Sequence, residues 1–171
     1  MLRERTFTGC VFGNCDFTGS DFRDSWFADC EFRECNLSLV NVAGCKLQSM
    51  RFLQCKMAGV DFSQCNTFLL ALEFSKCLIS DSNFSGLKLH QTAFRECGIE
   101  NCDFVNADLT GSDFHGANLA GSLFDHTDLS GVNLVDARSF TISPERNKLA
   151  KARVSLPEAI ILLRHLGVII E

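Results

Sequence analysis

Residues 9–22 read GCVFGNCDFTGSDF and place a phenyl ring at every fifth position. Each ring follows a thiol or hydroxyl by two residues, in the pairs Cys10 and Phe12, Cys15 and Phe17, and Ser20 and Phe22. One face of a helix repeats every 3.6 residues and one face of a strand every 2.0. A period of five fits neither element, so the stretch predicts a repeat architecture in which each unit packs against its neighbours.

The five-residue period covers most of the chain. We label the ring position i. In a first register it is held by Phe7, Phe12, Phe17, Phe22, Phe27, Phe32, Leu37, Val42, Leu47, Phe52, Met57 and Phe62. After a register break within residues 63–73, the period resumes in a frame shifted by two. There it is held by Leu69, Phe74, Ile79, Phe84, Leu89, Phe94, Ile99, Phe104, Leu109, Phe114, Leu119, Phe124, Leu129 and Leu134.

All ten cysteines occupy position i−2. They are Cys10, Cys15, Cys30, Cys35, Cys45, Cys55, Cys65, Cys77, Cys97 and Cys102. Ser, Ala, Thr and Val hold most of the other i−2 positions, so the position selects small buried residues, and a free Cys acts there as a small hydrophobe. A zinc site would need CxxC-like pairs, and side chains that point the same way from parallel backbones have poor geometry for a disulfide. We therefore expect inward-facing reduced thiols, with no metal and no cofactor.

Composition sets the broad class of the protein. A chain of 171 residues with 46% hydrophobic content suits one domain with a sizeable core, and 16 Phe without any Tyr suit a core of rings that carry no hydroxyl. The first ten residues lack the apolar segment of a signal peptide. The most apolar stretch, residues 156–170, is short and contains Glu158 and Arg164, so we expect no membrane span. The expected location is the cytoplasm, where thiols stay reduced.

The repeat resembles the pentapeptide-repeat family. The consensus of Ala/Ser/Cys, Asp/Asn, Leu/Phe, Ser/Thr and Gly is clearest in ADLTG (residues 107–111), SDFHG, ANLAG and TDLSG. The resemblance covers residues 5–137 and implies an all-β fold, a right-handed quadrilateral β-helix with four pentapeptides per coil and positions i and i−2 inside. On that fold the repeats make about six and a half coils and a rod about 31 Å long.

The register break resembles a feature of one group within this family. Two stacks of unequal length, an out-of-register step and many cysteines at i−2 are similar to the Qnr group, the fluoroquinolone-resistance members of the family. The alternative is that the break is a bulge with a purely structural role. One departure is clear, because Qnr proteins carry two loops that interrupt the coil, whereas the period here runs unbroken on both sides of residues 63–73.

The C-terminal segment, residues 138–171, does not follow the consensus. Ser155 and Glu158 resemble a capping box, and an apolar face predicts a helix over about 156–166, followed by a short strand. We expect the segment to cap the coil and, by resemblance to Qnr proteins, to pair with a second copy in a homodimer. The predicted cap and dimer residues are Leu156, Ile160, Leu163, Leu166, Val168, Ile169 and Ile170.

Charge suggests a partner. Residues 1–137 hold 18 acidic and 10 basic residues, a net charge of −8, whereas residues 138–171 have a net charge of +3. Position i−1 should face water, and its acidic residues form the predicted partner-binding surface: Asp16, Asp21, Asp61, Asp103, Asp108, Asp113 and Asp128. With 20 residues per coil, Asp21, Asn41 and Asp61 share one column and Asp108 and Asp128 another. Such columns imitate DNA phosphates coarsely and attract a basic DNA-binding groove, so the chain itself should not bind nucleic acid.

The resemblance implies that the partner is a type II topoisomerase, DNA gyrase or topoisomerase IV, which Qnr proteins protect from quinolones. Without the two loops, the resemblance supports topoisomerase binding more strongly than drug protection. The alternative is a generic pentapeptide-repeat scaffold that binds another protein, with Trp26 at i−1 as a candidate anchor. An enzyme is not expected, because the four histidines show no pattern with an acid or nucleophile.

Overall fold

The computed structural model describes residues 2–165 as a quadrilateral β-helix of about seven turns. Its strands contain two to four residues each, because every pentapeptide supplies one short edge and one corner. They are β1 Thr6–Thr8, β2 Val11–Gly13, β3 Trp26–Ala28, β4 Glu31–Arg33, β5 Lys46–Gln48, β6 Met50–Leu53, β7 Lys56–Ala58, β8 Leu72–Ser75, β9 Leu78–Ser80, β10 Ala93–Arg95, β11 Gly98–Glu100, β12 Asn133–Leu134 and β13 Arg153–Val154. A 3-10 turn spans Phe62–Gln64, and the helix α1 spans Ala159–His165.

Successive coils pair in parallel, with a register of 20 residues in the regular parts. Phe7 lies opposite Phe27, and Phe12 lies opposite Phe32. The sheet orders are β1-β3-β5, β10-β8-β6-β4-β2, β11-β9-β7 and β12-β13. Isolated parallel bridges continue the same columns between the named strands. The expected four-sided cross-section is therefore confirmed.

The four sides are named here by their inward residues at position i. Face 1 contains Phe7, Phe27, Leu47, Leu89, Leu109 and Leu129. Face 2 contains Phe12, Phe32, Phe52, Phe74, Phe94, Phe114 and Leu134. Face 3 contains Phe17, Leu37, Met57, Ile79, Ile99 and Leu119. Face 4 contains Phe22, Val42, Phe62, Phe84, Phe104 and Phe124.

The interior is a stack of parallel rings. Phe84 and Phe104 are fully buried on face 4, with ring centroids 5.0 Å apart and planes 4° apart. Rings from neighbouring faces meet edge to face, as Phe94 and Phe104 do at 5.9 Å. Both geometries are favoured for aromatic pairs. The absence of Tyr follows, because a phenol hydroxyl at this depth would need a hydrogen-bond partner that the ring stack does not offer.

Position i−2 carries small side chains that donate hydrogen bonds to the preceding coil. The Cys55 thiol donates to the carbonyl oxygen of Phe32 at 3.3 Å, and the Ser112 hydroxyl donates to that of Leu89 at 2.7 Å. Thr127 repeats the contact with Phe104 at 2.8 Å. Cys, Ser and Thr are interchangeable here because each combines small volume with one donor.

All ten cysteines are free thiols. Eight are buried, and Cys10 and Cys15 are half-buried because they lie in the first coil, which has a neighbouring coil on one side only among the described residues. Burial raises the pKa of the Cys45 thiol to about 12 and that of Cys102 to about 11. These groups therefore stay protonated at neutral pH and act as packing residues.

The register break lengthens one coil by two residues. Met50 pairs with Leu72 and Phe52 with Phe74, instead of with the residues 20 positions further on. The prediction that Leu69 points inward is wrong: its side chain is 55% exposed and its φ is 59°. Leu70 packs against the core instead. The side chain of Asn66 accepts the Phe68 N–H at 2.9 Å, and this turn directs residues 68–69 outward.

The coil continues past residue 137, the boundary expected from the sequence. Asp128 pairs with Lys148, and β12 pairs with β13. In this last coil a different residue type makes the hydrogen bonds between coils. Asn147 is buried, accepts the Thr127 N–H at 3.0 Å and donates to the Phe124 carbonyl at 3.0 Å. Loss of the consensus therefore does not mark the end of the solenoid.

Helix α1 follows the last coil and begins later than residue 156, the expected start, because residues 156–158 form a turn. Ser155 does not show the expected cap geometry: its hydroxyl oxygen accepts the N–H of Asp136 at 2.9 Å, which ties the segment to the coil. Leu162 packs against the core at this end.

Candidate protein-binding surface

The seven aspartates predicted to bind a partner lie on all four faces, so the structure does not bring them together in one surface. Asp16 is on face 3 and Asp113 on face 2. The two columns expected from the 20-residue period are present in part, since Asp21 pairs with Asn41 and Asp108 with Asp128. The full assignment is Asp16 on face 3, Asp113 on face 2, Asp108 and Asp128 on face 1, and Asp21, Asp61 and Asp103 on face 4.

Every one of these aspartates also shapes a corner of the coil. Its carboxylate accepts the backbone N–H two residues further on, as Asp61 does from Ser63 at 3.1 Å and Asp108 from Thr110 at 3.1 Å. The same bond is made by asparagine at i−1, for example Asn83 to Ser85 at 2.9 Å. Asp and Asn thus recur at this position because both stabilise a turn. A functional role needs a further observation.

Four of the seven carboxylates face a basic side chain. Arg23 donates two hydrogen bonds to Asp21, at 2.9 and 2.7 Å, and holds the pKa of that carboxyl at about 2. Bonds from Ser130 and from Lys148, at 3.0 Å, lower the pKa of Asp128 to about 2 as well. The remaining two pairs are Arg95 with Asp113 at 2.6 Å and His90 with Asp108 at 2.7 Å. The repeat pattern does not reveal these pairs, because the basic partner lies 2, 18 or 20 residues away on an outward position.

Face 4 carries three of the seven predicted aspartates in one column, and only Asp21 among them has a basic partner; Asp16 on face 3 is likewise outside every ion pair within residues 2–165. Position i−1 of successive coils reads Asp21, Asn41, Asp61, Asn83 and Asp103, with backbone bridges joining Asp61 to Asn83 and Asn83 to Asp103. Within residues 2–165, no ion pair involves Asp61 or Asp103. At one coil per roughly 4.8 Å, carboxylates recur about every 10 Å along this face.

Trp26 lies on face 1 and is 42% exposed. The ammonium of Lys46, in the next coil, lies 5.7 Å from the centre of the Trp26 ring. This cation–π contact covers part of one face of the indole. The residue is available at the surface, as expected for a candidate anchor, but it belongs to a different face from the acidic column.

The predicted cap and dimer residues divide into two groups. Leu156 and Leu163 are exposed, 77% and 42% respectively, and Ile160 is half-buried. Leu166, Val168, Ile169 and Ile170 lie outside the described residues. The described part of the segment therefore packs one helix side chain, Leu162, on the core and leaves apolar surface beside it.

No cluster of three or more His, Cys, Asp or Glu side chains in residues 2–165 has the geometry to hold a metal ion. In the same residues, no helix is long and apolar enough to cross a membrane.

Comparison with known proteins agrees with this architecture. The chain is similar to a trypsin-treated variant of QnrB1, a plasmid-mediated fluoroquinolone resistance protein, with a TM-score of 0.64 and 18% identity over 99% of this chain and 93% of that chain. Full-length QnrB1 matches with a TM-score of 0.52 and 14% identity over 95% of this chain and 100% of that chain. A pentapeptide-repeat protein of the Arabidopsis thaliana thylakoid lumen has a TM-score of 0.42 and 23% identity, over 56% of this chain and 58% of that chain.

At these identities the likeness to QnrB1 shows the fold alone. A search of curated proteins found no match. The family model described as a pentapeptide repeat region matches residues 5–68 and 66–134. The chain therefore belongs to the pentapeptide-repeat family, with the fold seen in QnrB1.

Proposed function

We propose that this protein is an acidic rod that mimics DNA and binds a type II topoisomerase, DNA gyrase or topoisomerase IV, inhibiting the enzyme or protecting it from quinolones. The observation that carries the proposal is the face 4 column, in which Asp61 and Asp103 point outward without a neutralising cation. The likeness in fold to QnrB1, a fluoroquinolone resistance protein, supports the choice of partner. We propose further that the protein is not an enzyme, that it acts in the cytoplasm, and that it binds neither membrane nor nucleic acid.

The charge density of face 4 indicates what the column can contribute. DNA carries one negative charge per roughly 1.7 Å of its axis, whereas face 4 carries one carboxylate per roughly 10 Å. The column is therefore a coarse mimic. It supplies attraction at long range and a salt-dependent association rate, and contacts of another kind must supply the rest of the affinity.

The test is a gyrase supercoiling assay with purified protein, with and without ciprofloxacin. We expect inhibition or drug rescue that weakens when Asp61 and Asp103 are both changed to Asn, because Asn retains the corner hydrogen bond and removes the charge. The matched control is Asp108→Asn with Asp128→Asn, which removes two charges that His90 and Lys148 already face. Equal effects of the two double variants, or no effect of the parent at tens of micromolar, would count against the proposal.

We further propose a homodimer formed through the C-terminal segment. Leu156 and Leu163 support it, because both expose apolar surface at the end of the rod. A two-fold contact between such ends closes on itself and doubles the rod length. Sedimentation should give a dimer that Leu156→Ser with Leu163→Ser converts to a monomer. A parent that sediments as a monomer at micromolar concentration contradicts this.

A generic scaffold that binds a different protein is the second candidate. It is favoured by the ion pairs that four of the seven predicted aspartates make, because these pairs reduce the charge that the rod offers to a DNA-binding groove. Under this function, the supercoiling assay shows no effect and pull-down recovers an unrelated partner.

A further inference from the structure

The register break exposes two large apolar residues at a place where the rod otherwise presents small or polar ones. Phe68 is 68% exposed and Leu69 is 55% exposed. In the other coils, the two residues after the inward position of face 1 are small or polar: Thr8 and Gly9, Ala28 and Asp29, Gln48 and Ser49, His90 and Gln91, Thr110 and Gly111, Ser130 and Gly131, and Ala150 and Lys151. The exposed pair is therefore specific to the break.

Folding does not require these two side chains. Leu70 supplies the inward contact at the break, while Leu69 adopts the left-handed conformation at φ 59°, which Asn or Gly accepts more readily. A polar residue at either position would satisfy the same turn. Phe68 and Leu69 together are called the apolar tip below.

A groove of about 520 Å³ opens beside the apolar tip, at the corner between faces 1 and 2. Ala71 and Ala93 contribute small side chains to it, and Asp29, Glu73, Arg51 and Arg95 contribute charged ones. Ala71, which lines the groove, lies two residues after Leu69 along the chain, so the tip and the groove are neighbours on the surface.

The groove is lined by two carboxylates, Asp29 and Glu73, and by two guanidinium groups that have ion-pair partners outside it. Arg51 is 3.2 Å from Glu31, and Arg95 is 2.6 Å from Asp113, so both guanidinium groups are paired with carboxylates that do not line the groove. Within residues 2–165, no ion pair includes Asp29 or Glu73. The groove can therefore accept a basic side chain.

We propose that the register break is a protein-docking site, in which the apolar tip enters an apolar socket of the partner and a Lys or Arg next to that socket enters the groove. The inference rests on the proposed function: the partner is the topoisomerase, whose basic DNA-binding surface offers the Lys or Arg that Asp29 and Glu73 can accept. A macromolecule is required because the tip projects from the rod and only a partner with its own socket buries it. This contact supplies the affinity that the sparse face 4 column lacks.

The test measures binding of the purified full chain to gyrase by a surface-based binding assay. Phe68→Ser with Leu69→Asn is expected to weaken binding at least about tenfold, equivalent to about 1.4 kcal/mol. The matched control is Leu78→Ser with Leu39→Asn on face 3: these leucines are 65% and 63% exposed, and Leu39 has φ 59°. The control should bind like the parent, and both variants should melt with it.

A second pair of variants tests the groove. Glu73→Gln with Asp29→Asn should weaken binding several-fold at low salt and lose that effect as salt increases, since screening removes exposed electrostatic attraction. Glu34→Gln, an exposed carboxylate of face 2 outside the groove, should bind like the parent.

The outcomes separate the two proposals. If the parent binds gyrase and the tip variant binds equally well, the docking site is refuted while the proposed function stands. If the parent does not bind gyrase, the proposed function fails and this inference fails with it. A tip variant that converts a dimeric parent to a monomer would also overturn the inference, because the tip would then serve a second copy of the chain.

Discussion

Replacing Phe104 with Ala tests how much the stacked rings of face 4 contribute to stability. Its ring is fully buried between Phe84 and Phe124, each with its centroid 5.0 Å away, and it meets Phe94 and Phe114 edge to face. Removing a buried phenyl ring costs about 3–5 kcal/mol in transfer and cavity terms. Loss of two stacked pairs, each worth about 0.5–1.5 kcal/mol, places the expected destabilisation toward the upper end of that range.

The measurement is urea unfolding followed by circular dichroism, with Phe68→Ala as the matched control. Phe68 is 68% exposed, so the same chemical change there should alter the free energy of unfolding by no more than about 0.5 kcal/mol. If Phe104→Ala and Phe68→Ala unfold at the same urea concentration, the stacked interior is not the main source of stability and the reasoning is refuted.

Three further predictions concern the interior and the corners. Cys102→Leu should overpack its layer and lower the free energy of unfolding by about 1–3 kcal/mol. Cys102→Ser should lower it much less, because serine makes the same i−2 hydrogen bond in other coils. Equal melting temperatures of the two variants would contradict this. A small apolar cavity of about 20 Å³ is lined partly by Val42, so Val42→Leu should stabilise the protein by about 0.5–1 kcal/mol. Val132→Leu, at a fully buried position that does not line this cavity, should destabilise it in the same unfolding assay. Asp21 and Asp128 have folded-state pKa values lowered to about 2. Their contribution to the free energy of unfolding is therefore present above the unfolded pKa of about 4 and is lost as pH falls toward 2. Asp21→Asn with Asp128→Asn should make the free energy of unfolding depend less on pH between about 4 and 2, and an unchanged pH dependence would refute this.

The ion pairs change what the net charge means. Exposed pairs such as Lys148 with Asp128 contribute little to stability because water screens them, but each cancels the field that a carboxylate would present to a partner. A net charge of −8 over residues 1–137 therefore does not show which carboxylates have a cation beside them. Only the arrangement of neighbours reveals which carboxylates stay unpaired, among them Asp61 and Asp103 on face 4.

The register break and the C-terminal coil were the parts of the fold that the repeat pattern predicted least well. At the break, three consecutive residues, Phe68, Leu69 and Leu70, are all suitable for an inward position, and the pattern cannot distinguish them. The turn made by Asn66 decides, because it sets which backbone position faces the core. Past residue 137, Asn147 takes the place of a small i−2 residue and bonds through its own amide, which no consensus of small side chains anticipates.

The amino-acid sequence by itself determined the solenoid, its family, and the inward positions of ring and thiol, because a five-residue period repeated over most of the chain admits a single set of buried positions. The tertiary structure alone decided how charge is distributed, since ion pairs form between residues 18–21 apart that stacking brings side by side. It also decided which residues of the break reach solvent. These properties depend on contacts between coils, and a period along the chain carries no information about which outward side chains meet across them.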